Sequence, residues 1–275
     1  MEGSIPIETV RTDGFEMDYF RFGDGEETLV ILPGLSVQSV MGAADAVAAA
    51  YGPLTDAFTI YVFDRRREPP ASYTVSEMAE DTAAAFRALG LEQACVFGAS
   101  QGGMMALRIA IDHPELVRRL ALGSTTARMT DARYAIIDRW IALAQDGDAE
   151  SLYLSFGEAV YPEEVFEQSR ELLVDAARTV TDAELARFVV LAAGMRSFDV
   201  TDALDGISCP VLVIGSRDDR VLGADASEQL AAALRGHTDC ELYMYDGYGH
   251  AAYDTAPDYR DRLLRFFAPE TGAEQ

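Results

Sequence analysis

ACVFGASQGGMMALRIA, residues 94–110, is the most informative stretch of this 275-residue sequence. Residues 94–98 are small or apolar and predict a short buried strand, whereas residues 103–110 predict a helix. Between them lies Gly98-Ala99-Ser100-Gln101-Gly102, a serine with a glycine two positions away on each side. In so sharp a turn, side chains at the two glycine positions would collide with neighbouring backbone. This pattern between a strand and a helix is typical of a nucleophile elbow, so Ser100 is the candidate nucleophile.

Apolar runs alternate with helical patterns along most of the chain. A hairpin is predicted from strands at residues 5–10 and 15–22, and helices are predicted between most later strands, one of them opening at Ser76. Buried strands are predicted at residues 28–32, 58–63, 94–98, 117–122, 210–214 and 241–245. This order predicts the α/β class, with a doubly wound, mostly parallel sheet that begins with an antiparallel hairpin.

Residues 130–197 interrupt this alternation. Apolar residues recur there at helical spacing, and no strand-like run is present. We interpret the segment as an insertion of about four helices that forms a helical cap. The predicted division is therefore a core domain of residues 1–129 and 198–275 and a cap of residues 130–197.

The charge of the chain bears on its partners. The sequence has 46 acidic and 22 basic residues, a formal net charge of −24, and every basic residue is an arginine. Such acidity disfavours nucleic acid, anionic membranes and polyanionic substrates, and leaves a small molecule as the expected partner. No apolar run approaches the ~20 residues of a membrane span, and the first residues do not form a secretory signal.

The three cysteines are Cys95, Cys209 and Cys240. Their number is odd, their spacing does not match a metal site, and each lies in or beside an apolar run. We therefore expect buried free thiols, which favour a reducing compartment and a cytoplasmic location.

Several polar residues follow predicted strands. Ligands of doubly wound sheets bind beyond the carboxyl ends of the strands, so side chains that follow different strands converge at one edge. A serine hydroxyl needs a base, and the chain has three histidines. His113 lies at a helix end and His237 in a polar turn before the last strand. Only His250 follows a strand, in a glycine-bracketed loop, so His250 is the candidate base.

The remaining parts of such a site are an acid and two oxyanion donors. The chain order serine, aspartate, histidine is expected for this kind of fold, and the loop after residue 214 offers Asp218 and Asp219. The N–H of Gln101, next to the nucleophile, is one expected oxyanion donor. The second is expected from the loop around Gly34 and Leu35.

These motifs together resemble the α/β-hydrolase fold superfamily, in particular its esterases, lactonases and prolyl aminopeptidases with a helical cap. The resemblance spans most of the chain and rests on residues 33–35, 98–103, His113-Pro114 with Val117, 215–221 and Gly249-His250. The family often has His-Gly where this chain has Pro33-Gly34. Because the family's donor is the backbone N–H after the glycine, the resemblance still implies an oxyanion role for Leu35.

The acid loop has one residue more than the resembled family. Counting forward from Gly215 gives Asp218 as the acid, and counting back from the apolar pair at 221–222 gives Asp219. Since an extra residue is absorbed more easily in the polar half of the loop, Asp219 is the first choice and Asp218 the second.

The expected function is a serine hydrolase that cleaves a small, uncharged or weakly charged carboxylic ester through an acyl-enzyme, without a metal or organic cofactor. Lactone hydrolysis, cleavage of N-terminal prolyl peptides and carbon–carbon hydrolysis are the alternatives on the same fold. A ligand-binding protein without catalysis is the alternative from another class, although such a protein would be expected to lack one of the three residues. The substrate and the oligomeric state stay open.

Overall fold

The computed structural model describes residues 4–268, and the outer ends of the predicted core, residues 1–3 and 269–275, lie outside the described residues. An eight-stranded sheet forms the centre of the described part. Its strands are β1 (Ile7–Thr12), β2 (Phe15–Phe22), β3 (Glu27–Leu32), β4 (Phe58–Arg66), β5 (Ala94–Ala99), β6 (Val117–Gly123), β7 (Val211–Ser216) and β8 (Cys240–Tyr245).

The strands are ordered β1-β2-β4-β3-β5-β6-β7-β8 across the sheet. β1 pairs with β2 and β2 with β4 in antiparallel fashion, and all other neighbours are parallel. β5 and β7 are buried at every position, as expected of strands covered on both faces. The predicted doubly wound, mostly parallel sheet with an initial hairpin is confirmed.

Helices cover both faces of the sheet. They are α1 (Ala44–Ala50), α2 (Val75–Ala88), α3 (Gln101–Asp112), α4 (Asp131–Gln145), α5 (Ala149–Val160), α6 (Glu163–Ala177), α7 (Asp182–Ala193), α8 (Asp225–Leu234), α9 (Ala252–Thr255) and α10 (Tyr259–Phe267). Buried side chains of α2, α3 and α8 belong to one core, and those of α1 and α10 belong to a second core that includes Phe97 of β5. The inner parallel strands are therefore shielded from water on both sides, whereas the edge strand β8 is only partly buried.

The start of α2 corrects one sequence-based expectation. The helix does not open at Ser76, because Thr74 is its N-cap. The Thr74 hydroxyl accepts the N–H of Glu77 at 3.2 Å, and the Glu77 carboxylate accepts the N–H of Thr74 at 2.7 Å. This reciprocal capping box satisfies two backbone donors at once, and a serine at position 76 offers no such pairing.

Four consecutive helices, α4 to α7, lie between β6 and β7, in the segment where about four were predicted. An isolated antiparallel bridge between Arg128 and Asp199 joins the two ends of the segment. Inside it, Trp140 is buried, packs on Phe156 with 4.5 Å between ring centroids, and donates its indole N–H to Ser155 at 3.2 Å. A buried tryptophan with a satisfied N–H gives these helices a packed centre of their own.

The cysteines only partly follow the expectation. All three are free thiols, but only Cys95 is buried, whereas Cys209 and Cys240 are half-buried. Both of these lie just outside or at the first position of a strand, where the strand is not yet covered by helices. Within residues 4–268, no helix has the length and apolar character needed to cross a bilayer.

Candidate active site

Ser100 occupies a strained turn between β5 and α3. Its φ is 51° and its ψ is −118°, a conformation that non-glycine residues rarely adopt. The backbone around it is held on both sides: the Ser100 N–H donates to the Gly123 carbonyl at 2.8 Å, and the Thr125 hydroxyl donates to the Ser100 carbonyl at 2.7 Å. Such a conformation costs roughly 1–3 kcal/mol and persists because the surroundings hold it, which is common at functional sites.

The flanking glycines are required by close backbone contacts. A Cβ at Gly98 would lie 2.5 Å from the Gly102 carbonyl oxygen, and a Cβ at Gly102 would lie 2.0 Å from the Leu32 carbonyl oxygen. Both distances are far below van der Waals contact. The steric reason expected for the Gly-x-Ser-x-Gly pattern is therefore present in the structure.

His250 lies in the loop after β8 and contacts Asp219 of the loop after β7. The His250 side chain is 3% exposed, and its Nδ1 lies 2.8 Å from Asp219 Oδ2. Because a carboxylate accepts hydrogen bonds, this contact favours the tautomer with the proton on Nδ1. That tautomer leaves the Nε2 lone pair free to accept a proton.

The Asp219 carboxylate is buried but well supplied with donors. Its Oδ1 accepts the N–H groups of Val221 at 2.8 Å and Leu222 at 3.0 Å. Burial alone would raise the pKa of Asp219, but the His250 contact and the two backbone N–H groups outweigh burial and lower it. The contact with His250 and the two backbone donors therefore favour the ionised form of Asp219.

Asp218 has a different set of contacts. It accepts hydrogen bonds from the Ser216 hydroxyl at 2.6 Å and from the N–H groups of Gly247 at 3.0 Å and Gly249 at 2.9 Å. Both glycines belong to the loop that carries His250. The structure thus brings Asp219 to the imidazole, while Asp218 holds the backbone just before it.

The other two histidines lie elsewhere. His113, at the end of α3, is half-buried and contacts Glu80 at 2.9 Å through Nε2 and Arg87 at 2.8 Å through Nδ1. His237 is exposed. Neither lines the cavity that contains Ser100 and His250, as the sequence analysis predicted from their positions.

Ser100 and His250 line one small cavity, which we call the serine cavity. Its volume is about 20 Å³, which is enough for roughly one water molecule. Ile137 and Trp140 of α4 and Phe156 of α5 form part of its wall. No hydrogen bond between the Ser100 hydroxyl and His250 is formed in residues 4–268, and such bonds often tighten only when substrate binds.

The two expected oxyanion donors lie on either side of Ser100, and of the two only Leu35 lines the serine cavity. Gln101 is the first residue of α3, where an N–H has no partner within the helix. Leu35 lines the serine cavity, and in the described part of the chain its N–H has no acceptor. A Cβ at Gly34 would lie 3.3 Å from the Ser100 Cβ, so the glycine allows this loop to approach the serine closely.

The comparisons with known proteins bear on this arrangement. Residues 28–257 match the family described as "alpha/beta hydrolase fold". The chain belongs to this family. A relative from Agrobacterium fabrum (strain C58), named "Putative carbamate hydrolase RutD", is 30% identical over 225 residues, covering 78% of this chain and 85% of the relative. A protein of the same name from Caulobacter vibrioides is 26% identical over 250 residues. The chain is accordingly an enzyme, a hydrolase.

Solved structures agree on the fold. MGS-M2, an alpha/beta hydrolase enzyme from a Medee basin deep-sea metagenome library, has a TM-score of 0.85 and 22% identity, covering 98% of this chain and all of that chain (100%). The enol-lactonase from Burkholderia xenovorans LB400 has a TM-score of 0.81 and 17% identity, covering 95% and 100% of the two chains. At these identities the likeness shows the fold alone.

This hydrolase contains a buried arginine that the sequence analysis did not place at the site. Arg65, at the end of β4, is 3% exposed. Its Nη2 donates to the Pro33 carbonyl at 2.7 Å and to the Gln101 side-chain oxygen at 2.8 Å. Gln101 in turn donates its Nε2 to the Leu191 carbonyl of α7 at 2.8 Å. One guanidinium therefore connects the loop before Leu35 to the residue that follows the serine.

Asp64 balances the charge of this arginine. Its carboxylate contacts Arg187 of α7 at 3.0 Å and accepts the Ser39 hydroxyl at 2.5 Å. Burial raises the pKa of Asp64, but the neighbouring Arg187 and Arg65 guanidinium groups and the Ser39 hydroxyl outweigh burial and lower it. The only sequence signal for this cluster was that residues 64 and 65 follow a buried run and thus reach the carboxyl edge of the sheet.

Groups that could hold a metal are not found at this site. Within residues 4–268, no three His, Cys, Asp or Glu side chains are grouped closely enough to bind an ion.

Proposed function

We propose that this hydrolase cleaves a small, neutral carboxylic ester, with Ser100 as nucleophile, His250 as base and Asp219 as the orienting acid. The observation that carries the proposal is the 2.8 Å contact between His250 Nδ1 and Asp219 Oδ2 beside the cavity that Ser100 also lines. The lowered pKa of Asp219 supports it, because an ionised carboxylate stabilises the imidazolium formed during catalysis.

In the acylation step, Ser100 Oγ attacks the ester carbonyl while His250 Nε2 takes the hydroxyl proton. The carbonyl oxygen becomes an oxyanion, and the N–H groups of Leu35 and Gln101 are its donors. The imidazolium then protonates the leaving alcohol as the carbon–oxygen bond breaks. In deacylation, His250 activates a water that attacks the acyl carbonyl, and the carboxylic acid leaves as Ser100 regains its proton.

The helices of residues 130–197 are the proposed cap. Ile137, Trp140 and Phe156 close the serine cavity from this side, and the cavity of about 20 Å³ cannot hold an ester. Substrate entry therefore requires the cap or its side chains to move. We propose that their shape selects among small acyl and alcohol groups.

A second candidate is hydrolysis of a carbamate. It is favoured by the relatives named "Putative carbamate hydrolase RutD", one of them 30% identical to this chain. A carbamate carbonyl can be attacked by the same serine and stabilised by the same two N–H donors, so the residue roles stay unchanged.

The test is hydrolysis of matched esters, carbamates and lactones by the enzyme and by Ser100→Ala. Loss of a nucleophile of this kind lowers kcat by about 10⁴-fold or more. A fluorophosphonate probe should label the enzyme and not Ser100→Ala. The exposed Ser208 provides a matched control, and Ser208→Ala should behave as the unmodified enzyme. A folded Ser100→Ala variant that retains most of the activity would contradict the proposal.

A further inference from the structure

A second and larger pocket adjoins the serine cavity. Its volume is about 340 Å³, against about 20 Å³ for the serine cavity. The size suits a small ligand group. We call it the Asp254 pocket. The two share the wall residues Gly34, Leu35, Phe156, Val160 and Tyr253.

The walls of the Asp254 pocket are mainly apolar and aromatic. Five aromatic rings contribute, namely Tyr51, Phe97, Phe156, Tyr161 and Tyr253. Among the lining residues, all within the described part of the chain, Asp254 is the one acidic or basic side chain. A pocket with aromatic walls and a single carboxylate favours a cation over an anion, because ring faces and the carboxylate both attract positive charge.

Asp254 lacks the partners that stabilise the other carboxylates near the site. Its Oδ2 has one long contact with the Tyr161 hydroxyl, 3.5 Å. Arg260 reaches the backbone carbonyl of Asp254 at 3.4 Å, and no described cation lies within 4.0 Å of the carboxylate. The Asp254 side chain is exposed to solvent at the pocket, yet the surrounding protein atoms raise its pKa to about 6, with Arg260, Tyr161 and His250 opposing the rise. Near neutral pH it is an ionised group whose protein partners are incomplete.

We propose that the Asp254 pocket binds an alkylammonium group of the substrate. The proposal rests on the proposed function, because it places the ester carbonyl at Ser100 and the ammonium group in the adjoining pocket. Asp254 supplies the opposite charge and the aromatic walls supply cation–π contacts, which are strongest when the cation is desolvated. The apolar walls also accept the methyl or methylene groups that an alkylammonium carries.

The overall charge of −24 attracts any cation. The test must therefore distinguish binding of the cation in the pocket from this general electrostatic attraction. Butyrylcholine and its neutral carbon isostere, 3,3-dimethylbutyl butyrate, have the same shape and differ in charge. The measured quantity is the ratio of their kcat/KM values. We expect a preference of about tenfold for the cationic ester, since cation–π and charge contacts of this kind reach that size.

Asp254→Asn tests the effect of the carboxylate in the pocket, and Asp261→Asn tests the effect of the protein's overall negative charge. Asp261 is an exposed residue of α10 that does not line the pocket, and its substitution removes the same charge. Asp254→Asn should lower the ratio several-fold, with the aromatic walls keeping the rest of the preference, whereas Asp261→Asn should keep it near tenfold. An equal fall in both variants, or an unmodified enzyme with no preference, would overturn the proposal.

A binding measurement separates failure of the pocket from failure of the proposed function. If neither ester is hydrolysed, the proposed function has failed, and the pocket is tested by titrating butyltrimethylammonium into Ser100→Ala by calorimetry. Binding that weakens about tenfold in Ser100→Ala/Asp254→Asn supports the pocket. Absent binding, or equal binding to both variants, overturns it.

Discussion

The serine cavity and the Asp254 pocket adjoin at the loop of Gly34 and Leu35, yet they are built differently. The serine cavity is small, and in it the imidazole of His250 has a defined partner, Asp219 at 2.8 Å. The Asp254 pocket is larger and mainly aromatic, and its carboxylate has only one long contact from a side chain, at 3.5 Å. These differences match the proposed roles, catalysis in the serine cavity and binding of a cationic group in the Asp254 pocket.

The two carboxylates show what controls ionisation near His250. Asp219 is buried and Asp254 is exposed, yet nearby protein atoms raise the pKa of both. In Asp219 the contacts from His250, Val221 and Leu222 outweigh that effect and lower the pKa, whereas Asp254 has one long contact from Tyr161 and its pKa rises to about 6. The donors aimed at the charged form therefore distinguish the two carboxylates.

The largest expected change in kcat distinguishes Asp218 from Asp219, the two neighbouring aspartates of the loop after β7. Asp219→Asn should lower kcat by up to ~10⁴-fold, because an amide at this position favours the wrong tautomer of His250. Asp218→Asn should cost about tenfold or less, since it loosens the loop at Gly247 and Gly249 without changing the imidazole. Steady-state kinetics on a neutral ester measures both. The reverse order of effects would assign the acid to Asp218.

Arg65 tests how the proposed oxyanion donors are positioned. Arg65→Lys keeps the positive charge beside Asp64, but its side chain is one bond shorter, so the ammonium does not reach the place from which Nη2 donates to both Pro33 and Gln101. Misplacement of the two oxyanion donors should lower kcat by roughly 10- to 100-fold, with a smaller change in KM. The rate of fluorophosphonate labelling should fall in parallel.

The matched control for that substitution is Arg67→Lys. Arg67 follows the same strand, but it is exposed and pairs with Glu16 and Asp18. Its replacement should leave kcat unchanged. If the folded Arg65→Lys variant has the kcat of the control, the buried arginine does not position the donors.

A smaller effect is expected in the pH dependence of the ester preference. Because the pKa of Asp254 is raised to about 6, its charge is present above that pH and is lost as the pH falls through it. The ratio of kcat/KM for butyrylcholine to that for 3,3-dimethylbutyl butyrate should therefore decrease from pH 8 to pH 5. Arg260, Tyr161, Tyr253 and His250 also face this carboxylate.

The ratio removes every pH effect that the two esters share, and Asp254→Asn shows whether the remaining change comes from this carboxylate. The ratio should no longer change with pH in that variant. An unchanged pH dependence in the variant would assign the effect to another group.

The sequence by itself determined the parts that depend on local sterics and periodicity. The sharp turn at Ser100 needs glycine at 98, because a Cβ there would lie 2.5 Å from the Gly102 carbonyl oxygen of the same turn. At 102 the pattern pointed to a glycine whose steric reason is tertiary, the Leu32 carbonyl oxygen at 2.0 Å. Continuous apolar runs predicted the buried strands, and the parallel order placed Leu35, Ser100 and His250 at one edge. The helix start at Thr74 was missed because the capping box depends on side-chain hydrogen bonds that periodicity does not show.

Tertiary structure alone decided which aspartate contacts His250. Asp218 and Asp219 are chemically alike and adjacent, and their directions depend on the loop backbone and on donors 29 and 31 residues away. Likewise, Arg65 contacts Gln101 across 36 residues, and the Asp254 pocket is enclosed by residues from 31 to 254. A cavity or a buried ion cluster forms from side chains that meet only in the folded chain, so no local pattern in the sequence records it.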